Sequence, residues 1–186
     1  QLEFMPEIKN ADNLKSAEQY IAMGMGGSHL AADILKTRDP YLPLKIHRNY
    51  GLPPFSQETF EKSLLIAVSH SGNTEETLSF AKEAIEHEYN LAVITTGGKL
   101  LDLAKENDVP YIQIPDDDLE PRHAQGYLVK ALAEYVDDGL PEELFEVSKT
   151  LEPEKWERKG TLLAKALTDR VPVIYASEKN KGLAYS

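Results

Sequence analysis

Leu64-Leu65-Ile66-Ala67-Val68-Ser69-His70-Ser71-Gly72-Asn73-Thr74-Glu75-Glu76, residues 64–76, decides how this chain is read. Positions 64–68 are apolar without a break, the pattern of a strand buried on both faces of a parallel sheet. From 77 to 87 the pattern turns helical, with Leu78, Ala81, Ala84 and Ile85 on one stripe. Small polar side chains and a glycine therefore stand where a strand becomes a helix. A helix N-terminus offers unpaired backbone N–H groups and a partial positive charge, which suits a phosphate. Ser69, Ser71 and Thr74 add hydroxyl donors, and Gly72 lets a ligand approach the backbone closely. The expectation is a cradle for a sugar phosphate.

The flanking sequence repeats the same alternation. A short apolar run at 20–25 ends in Gly26-Gly27-Ser28, and 29–36 reads as a helix through Leu30, Ile34 and Leu35. Strands follow at 44–47, 91–94 and 109–114, with helical patterns after the last two, around Leu100 to Ala104 and from Arg122 to Val136. Residues 4–16 read as a helix or arm, and the stretch between the second and third strands is long and irregular. Alternating strands and helices predict an α/β fold: a three-layer αβα sandwich on a five-stranded parallel sheet, flavodoxin-like in order 2-1-3-4-5. That domain is expected over 1–138. A helical linker at 139–168 follows, with helices near 141–150 and 153–168, and then a buried-type strand at 171–176 opens a second, truncated unit at 169–186.

In that strand order the switch point lies between the first and third strands, where open parallel sheets bind ligands. The loops after those strands are Gly26-Gly27-Ser28 and 69–74, the two richest in glycine and hydroxyls. Topology and composition thus point to one place.

Composition narrows the rest. A net charge of −11 leaves no basic stripe for nucleic acid. The anion site must then be made locally, by oriented amides and a few cations, with the carboxylates on solvated faces. Cysteine is absent, which excludes disulfides, thiolate metal sites and thiol nucleophiles. No apolar run approaches the ~20 residues needed to span a bilayer, and no signal peptide opens the chain, so a cytoplasmic protein is expected. The start at Gln1 and the stop at Ser186 read as a fragment or a processed product.

Competing sites are weaker. Gly24-Met25-Gly26 opens a dinucleotide pattern, but His29 takes the third glycine position and Ile46-His47-Arg48 supplies no acid after the second strand. Gly97-Gly98-Lys99 lacks the spacing of a P-loop and reads as a turn and helix start. The five histidines show no metal spacing, and the consecutive Asp116, Asp117 and Asp118 diverge in direction, so neither metal nor cofactor is expected. His29, His70 and His123 lie on the cleft side, where solvated loop positions are the ordinary case. Asn73 and Glu76 fit a helix cap with its reciprocal partner three residues on.

The pieces GMGGS (24–28), SHSGNTEET (69–77), ITTGGKLLDLAKEN (94–107) and PRHAQGY (121–127) resemble the sugar isomerase (SIS) superfamily, most of all its bifunctional phosphoglucose/phosphomannose isomerases. The resemblance covers nearly the whole chain, and VPVIYAS with NKGLAYS is similar to the opening of that family's second lobe. It implies reversible conversion of glucose 6-phosphate or mannose 6-phosphate to fructose 6-phosphate through a cis-enediolate, without metal. Ser69, Ser71 and Thr74 would bind the phosphate; Gly26, Gly27 and Ser28 would line the sugar; Arg122 would stabilise the enediolate. The family's glutamate base, a lysine and a ring-opening histidine from a partner subunit belong to the second lobe, which implies a homodimer or pairing with a second SIS lobe. His29 stands where the family often has glycine, and His123 intrudes after the arginine. The alternative is a non-catalytic SIS module that binds a sugar phosphate or dimerises.

Overall fold

Seven consecutive residues, Ser63–Ser69, form a strand that is buried throughout. It can be apolar on both sides because it is the middle of a sheet. The computed structural model describes residues 1–137, 139–177 and 180–185. Its strands are β1 (Gln19–Met23), β2 (Leu44–His47), β3 (Ser63–Ser69), β4 (Leu91–Thr95) and β5 (Tyr111–Gln113). They lie in the order 2-1-3-4-5, every pairing parallel, with Ile66 of β3 opposite Ala22 of β1 and Ala92 of β4. The fold class expected from the alternation is the one found.

Side chains alternate across each strand, so the two faces of the sheet carry separate cores. Ala22, Leu64, Ile66, Val68, Ile94 and Ile112 pack on one face against α1 (Leu30–Arg38) and α5 (Gln125–Val136). Ile21, Met23, Leu65, Ala67 and Val93 pack on the other against α3 (Glu75–Glu86) and α4 (Gly98–Glu106), with Phe80 of α3 fully buried among them. A short α2 (Gln57–Glu61) lies in the stretch expected to be irregular; Ser56 Oγ caps it by accepting from Thr59 N. No glutamate stands three residues after Ser56, so the reciprocal cap signal is missing from the sequence.

The first residues are an arm. Lys9 makes an antiparallel bridge to Tyr111 at the β5 edge, and only Ala11–Asn13 coils, as a single 3-10 turn. Lys130 of α5 is buried and donates to the Leu2 carbonyl at 2.7 Å, which ties the arm down; that burial holds its ammonium below the ordinary lysine range. Strand β5 is shorter than expected: Pro110 has no N–H to give a ladder, though its carbonyl accepts from Val93 N. Helix α5 begins at Gln125 rather than Arg122, because residues 121–123 form a turn closed by His123 N on Glu120 O.

Beyond the sheet, α6 (Leu140–Ser148) and α7 (Pro153–Leu167) match the two helices expected there. Residues 171–176 are a correction. No described residue pairs with them, they form no strand, and Val171, Val173, Ile174 and Tyr175 are exposed. An apolar β-branched run becomes a strand only beside a strand that needs it. A short α8 (Lys181–Tyr185) then lies on α1, with Gly182 against the backbone of Asp33. The boundary expected at 138 falls on a residue outside the described ones.

Phe80→Ala should cost about 3–5 kcal/mol. A urea unfolding midpoint that falls with an unchanged slope checks it.

Candidate functional site

Three loops meet beyond the carboxyl ends of β1, β3 and β4, and they are bonded to one another. His70 N donates to Ser28 Oγ at 3.1 Å, joining the loop after β3 to the loop after β1. The His70 carbonyl accepts from Thr96 N and from Thr96 Oγ1, at 3.0 and 2.7 Å, joining the same loop to the one after β4. Leu100 N donates to the Gly72 carbonyl and Lys99 N to Asn73 Oδ1, which extends that second seam into α4.

Gly72 carries the tightest point. Its φ is +67°, and a Cβ there would collide with the Gly97 carbonyl. The missing side chain of Gly72 makes room for a neighbouring loop. Gly98, with φ +69°, returns the contact: a Cβ on it would lie 2.5 Å from the Ser71 carbonyl. Asn73 serves the same seam, its amide donating to Ser71 O, so it does not cap α3. The cap position is Thr74, which makes no side-chain cap hydrogen bond. The first-turn amides of α3 are thus left without a side-chain acceptor, at the positive end of the helix.

The predicted hydroxyls divide into two sets. Ser69 is buried; its Oγ accepts from Gly72 N at 3.1 Å and pairs with Thr74 Oγ1 at 2.9 Å. Ser28 is buried as well and spends an acceptor on His70 N. Ser71 is exposed and Thr74 half-buried, so these two face the opening. Of the glycines, Gly27 is pressed against Pro121 and Arg122, where a Cβ would come within 2.9 Å of Arg122 N. Gly26, with φ +54°, has nothing within 4 Å of its missing side chain. It is exposed, with open space beside it.

The backbone of Arg122 lies against Gly27. Its side chain is exposed, and Nη1 donates to the Tyr185 carbonyl of α8. Gln125, which no motif flagged, braces the approach by donating to the carbonyls of Gly27 and Pro121 at 3.0 and 2.8 Å. His70 differs from the solvated histidine expected: it is buried, and its Nε2 has no partner among the described residues. His29 is also engaged, bonded through Nδ1 to Asp33, whereas His123 is exposed. The carboxylate of Glu75 is turned to the Tyr50 hydroxyl at 3.2 Å, which raises the Tyr50 phenol and draws that charge aside from the loop. Among the described residues no three carboxylate or histidine side chains gather as a metal site, and no helix is long and apolar enough to cross a membrane.

No protein-family model matches the chain. A bifunctional phosphoglucose/phosphomannose isomerase of Caldicellulosiruptor bescii is 36% identical over 177 residues, which take in 85% of this chain and 50% of that protein. The chain has the sugar isomerase (SIS) fold and resembles the bifunctional phosphoglucose/phosphomannose isomerases. A D-glucosamine-6-phosphate 4-epimerase of Sulfolobus acidocaldarius is 28% identical over 184 residues, covering 91% of this chain and 55% of that one. In fold, the crystal structure of a phosphosugar isomerase candidate from Bacillus subtilis superposes with a TM-score of 0.59 at 21% identity, over 95% of this chain and 59% of that chain. The chain spans about half the length of the curated relatives it matches.

Gly72→Ala should lose about 2 kcal/mol or more, from the left-handed backbone and the Gly97 collision together. Gly26→Ala, strained in φ but unobstructed, should lose only about 1 kcal/mol. Thermal midpoints of the two variants, measured side by side, separate the collision from the backbone strain.

Proposed function

We propose that this chain is the phosphate- and sugar-binding lobe of a sugar-phosphate isomerase. The reaction is the reversible conversion of glucose 6-phosphate or mannose 6-phosphate to fructose 6-phosphate through a cis-enediolate. The observation that carries this is the uncapped start of α3: first-turn amides without a side-chain acceptor, flanked by the accessible hydroxyls of Ser71 and Thr74. A phosphate seated there takes charge-assisted hydrogen bonds, each stronger than a neutral one. Ser69 contributes by holding Thr74 Oγ1 in place, and Ser28 by fixing His70. The sugar extends along the open face of Gly26, past Gly27 and Ser28.

Moving a proton between C1 and C2 puts negative charge on an enediolate oxygen, and a guanidinium near it lowers that barrier. Arg122, whose backbone N lies against Gly27, takes this role. The general base is assigned to residues beyond this lobe, as in the family it resembles. The exposed Trp156, Leu162 and Leu163 of α7 support a second lobe or a second copy as the partner. A second reading, epimerisation of an amino-sugar phosphate, is favoured by the match to the glucosamine-6-phosphate epimerase.

Fructose 6-phosphate at millimolar concentration should shift the amide resonances of residues 69–77. Thr74→Val and Ser71→Ala should each weaken binding about tenfold, the worth of one hydrogen bond to a charged group. Unmoved resonances there, with others moving, overturn the cradle. Tighter binding of glucosamine 6-phosphate than of fructose 6-phosphate decides for the second reading.

A further inference from the structure

Beside the cradle stands a cluster that neither the loop motifs nor the phosphate account for. Asp33, in the first turn of α1, is only 4% exposed. A carboxylate so buried needs partners, and it has two: His29 Nδ1 and Arg48 Nη2 each lie 2.7 Å from Oδ2. Arg48 comes from the loop after β2, and Gly182 of α8 closes over the Asp33 backbone. Nothing in the packing of α1 requires a buried charge here, since Leu30, Ala31, Ala32 and Leu35 already fill its apolar face.

The effect of the cluster falls on His29. An ionised carboxylate only accepts, so Nδ1 must carry a proton and the ring is locked in one orientation. The two ring nitrogens lie on opposite sides of the imidazole. With Nδ1 taken by Asp33, Nε2 is the nitrogen left over; His29 is the N-cap residue of α1, the end of the helix that follows the carboxyl end of β1. His29 directly follows Ser28, and its own backbone N lies 3.0 Å from where a Cβ on Gly24 would stand, so its backbone is anchored at the base of the loop after β1.

We propose that His29 reads the sugar: its Nε2 accepts a hydrogen bond from a hydroxyl of the bound phosphosugar, while Asp33, braced by Arg48, is the positioning residue that fixes the tautomer. This rests on the cradle proposed above, and it gives the site a contact that senses hydroxyls and is blind to phosphate.

The test compares fructose 6-phosphate with inorganic phosphate on the whole chain, by titration and by the ¹⁵N resonances of the His29 ring. His29→Leu should weaken fructose 6-phosphate about tenfold and leave phosphate unchanged. In the unsubstituted chain the Nε2 resonance should move with fructose 6-phosphate and stay with phosphate. In Asp33→Leu, Nδ1 and Arg48 lose the one oxygen they share and the ring is no longer held in one tautomer, with the same selective loss; in Asp33→Asn the amide oxygen takes that shared position, and fructose 6-phosphate binding should be kept. In His29→Leu, equal losses for both ligands or no loss for either, or a still Nε2 resonance with fructose 6-phosphate bound to the unsubstituted chain, overturns the proposal and spares the cradle. Failure of both ligands to bind the unsubstituted chain overturns the cradle, and this contact with it. If His29→Leu does not fold, the ring resonances of the unsubstituted chain decide alone.

Discussion

The collision that a side chain at Gly72 would make with the Gly97 carbonyl is the constraint on which the site depends. Because Gly72 takes a left-handed φ without cost, the chain leaving β3 can double back against the loop after β4 before α3 begins. That contact is closed by Leu100 N on Gly72 O and by Asn73 reaching Lys99 N. The start of α3 is therefore set by two neighbouring strands rather than by its own cap. A helix end that is held from outside can leave its amides free, and free amides are what an anion needs.

Much of the sheet was legible in the sequence because burial on both faces leaves a continuous apolar run. Residues 91–94 differ little from β4 for that reason, whereas β2, at the sheet edge and buried only at Leu44, was marked by its flanking turns. The same rule misled at 171–176, where Val171, Val173 and Ile174 look like β3 and yet have no strand beside them. Apolar composition states what a segment can bury, and pairing is a property of the neighbours. The three loops of the site were also legible, since glycine and hydroxyls mark strand–helix turns in an α/β protein. Their division of labour was not. Ser69 and Ser71 are two residues apart and chemically identical, but one satisfies Gly72 N in the interior and the other faces the opening. Gln125 and the orphan Nε2 of His70 carried no local signal, because their meaning comes from residues far away in the chain.

The charge of the molecule raises a separate question, since a chain with net charge −11 is an odd host for an anion. Part of the answer is where the carboxylates go. Glu75 is drawn to Tyr50, the charge of Asp33 is paired with Arg48, and Asp137 and Glu143 are held by Arg38 at the far end of α1. Exposed charges beyond about 10 Å are screened at ordinary ionic strength, whereas amides in contact with a ligand are not. The potential felt in the cleft is a local quantity, and the acidic total describes the solvated faces.

Counting hydroxyls in such a loop overstates the number that touch a ligand. A tight turn buries backbone N–H groups that the sheet cannot satisfy, and each must find an acceptor. Ser69 Oγ serves Gly72 N, and Ser28 Oγ serves His70 N, before any ligand arrives. Removing either hydroxyl would disturb the ligand site through the backbone it holds, so loss of binding in such a variant says little about contact. The outer pair, Ser71 and Thr74, bears no equal obligation. Ser71 Oγ receives only the longer 3.3 Å bond from Asn73 N, and Thr74 Oγ1 has a single hydroxyl partner. The hydroxyls thus divide by whether they are already engaged with a buried amide: Ser28 Oγ takes His70 N, and Ser69 Oγ shares Gly72 N with the Ser69 carbonyl.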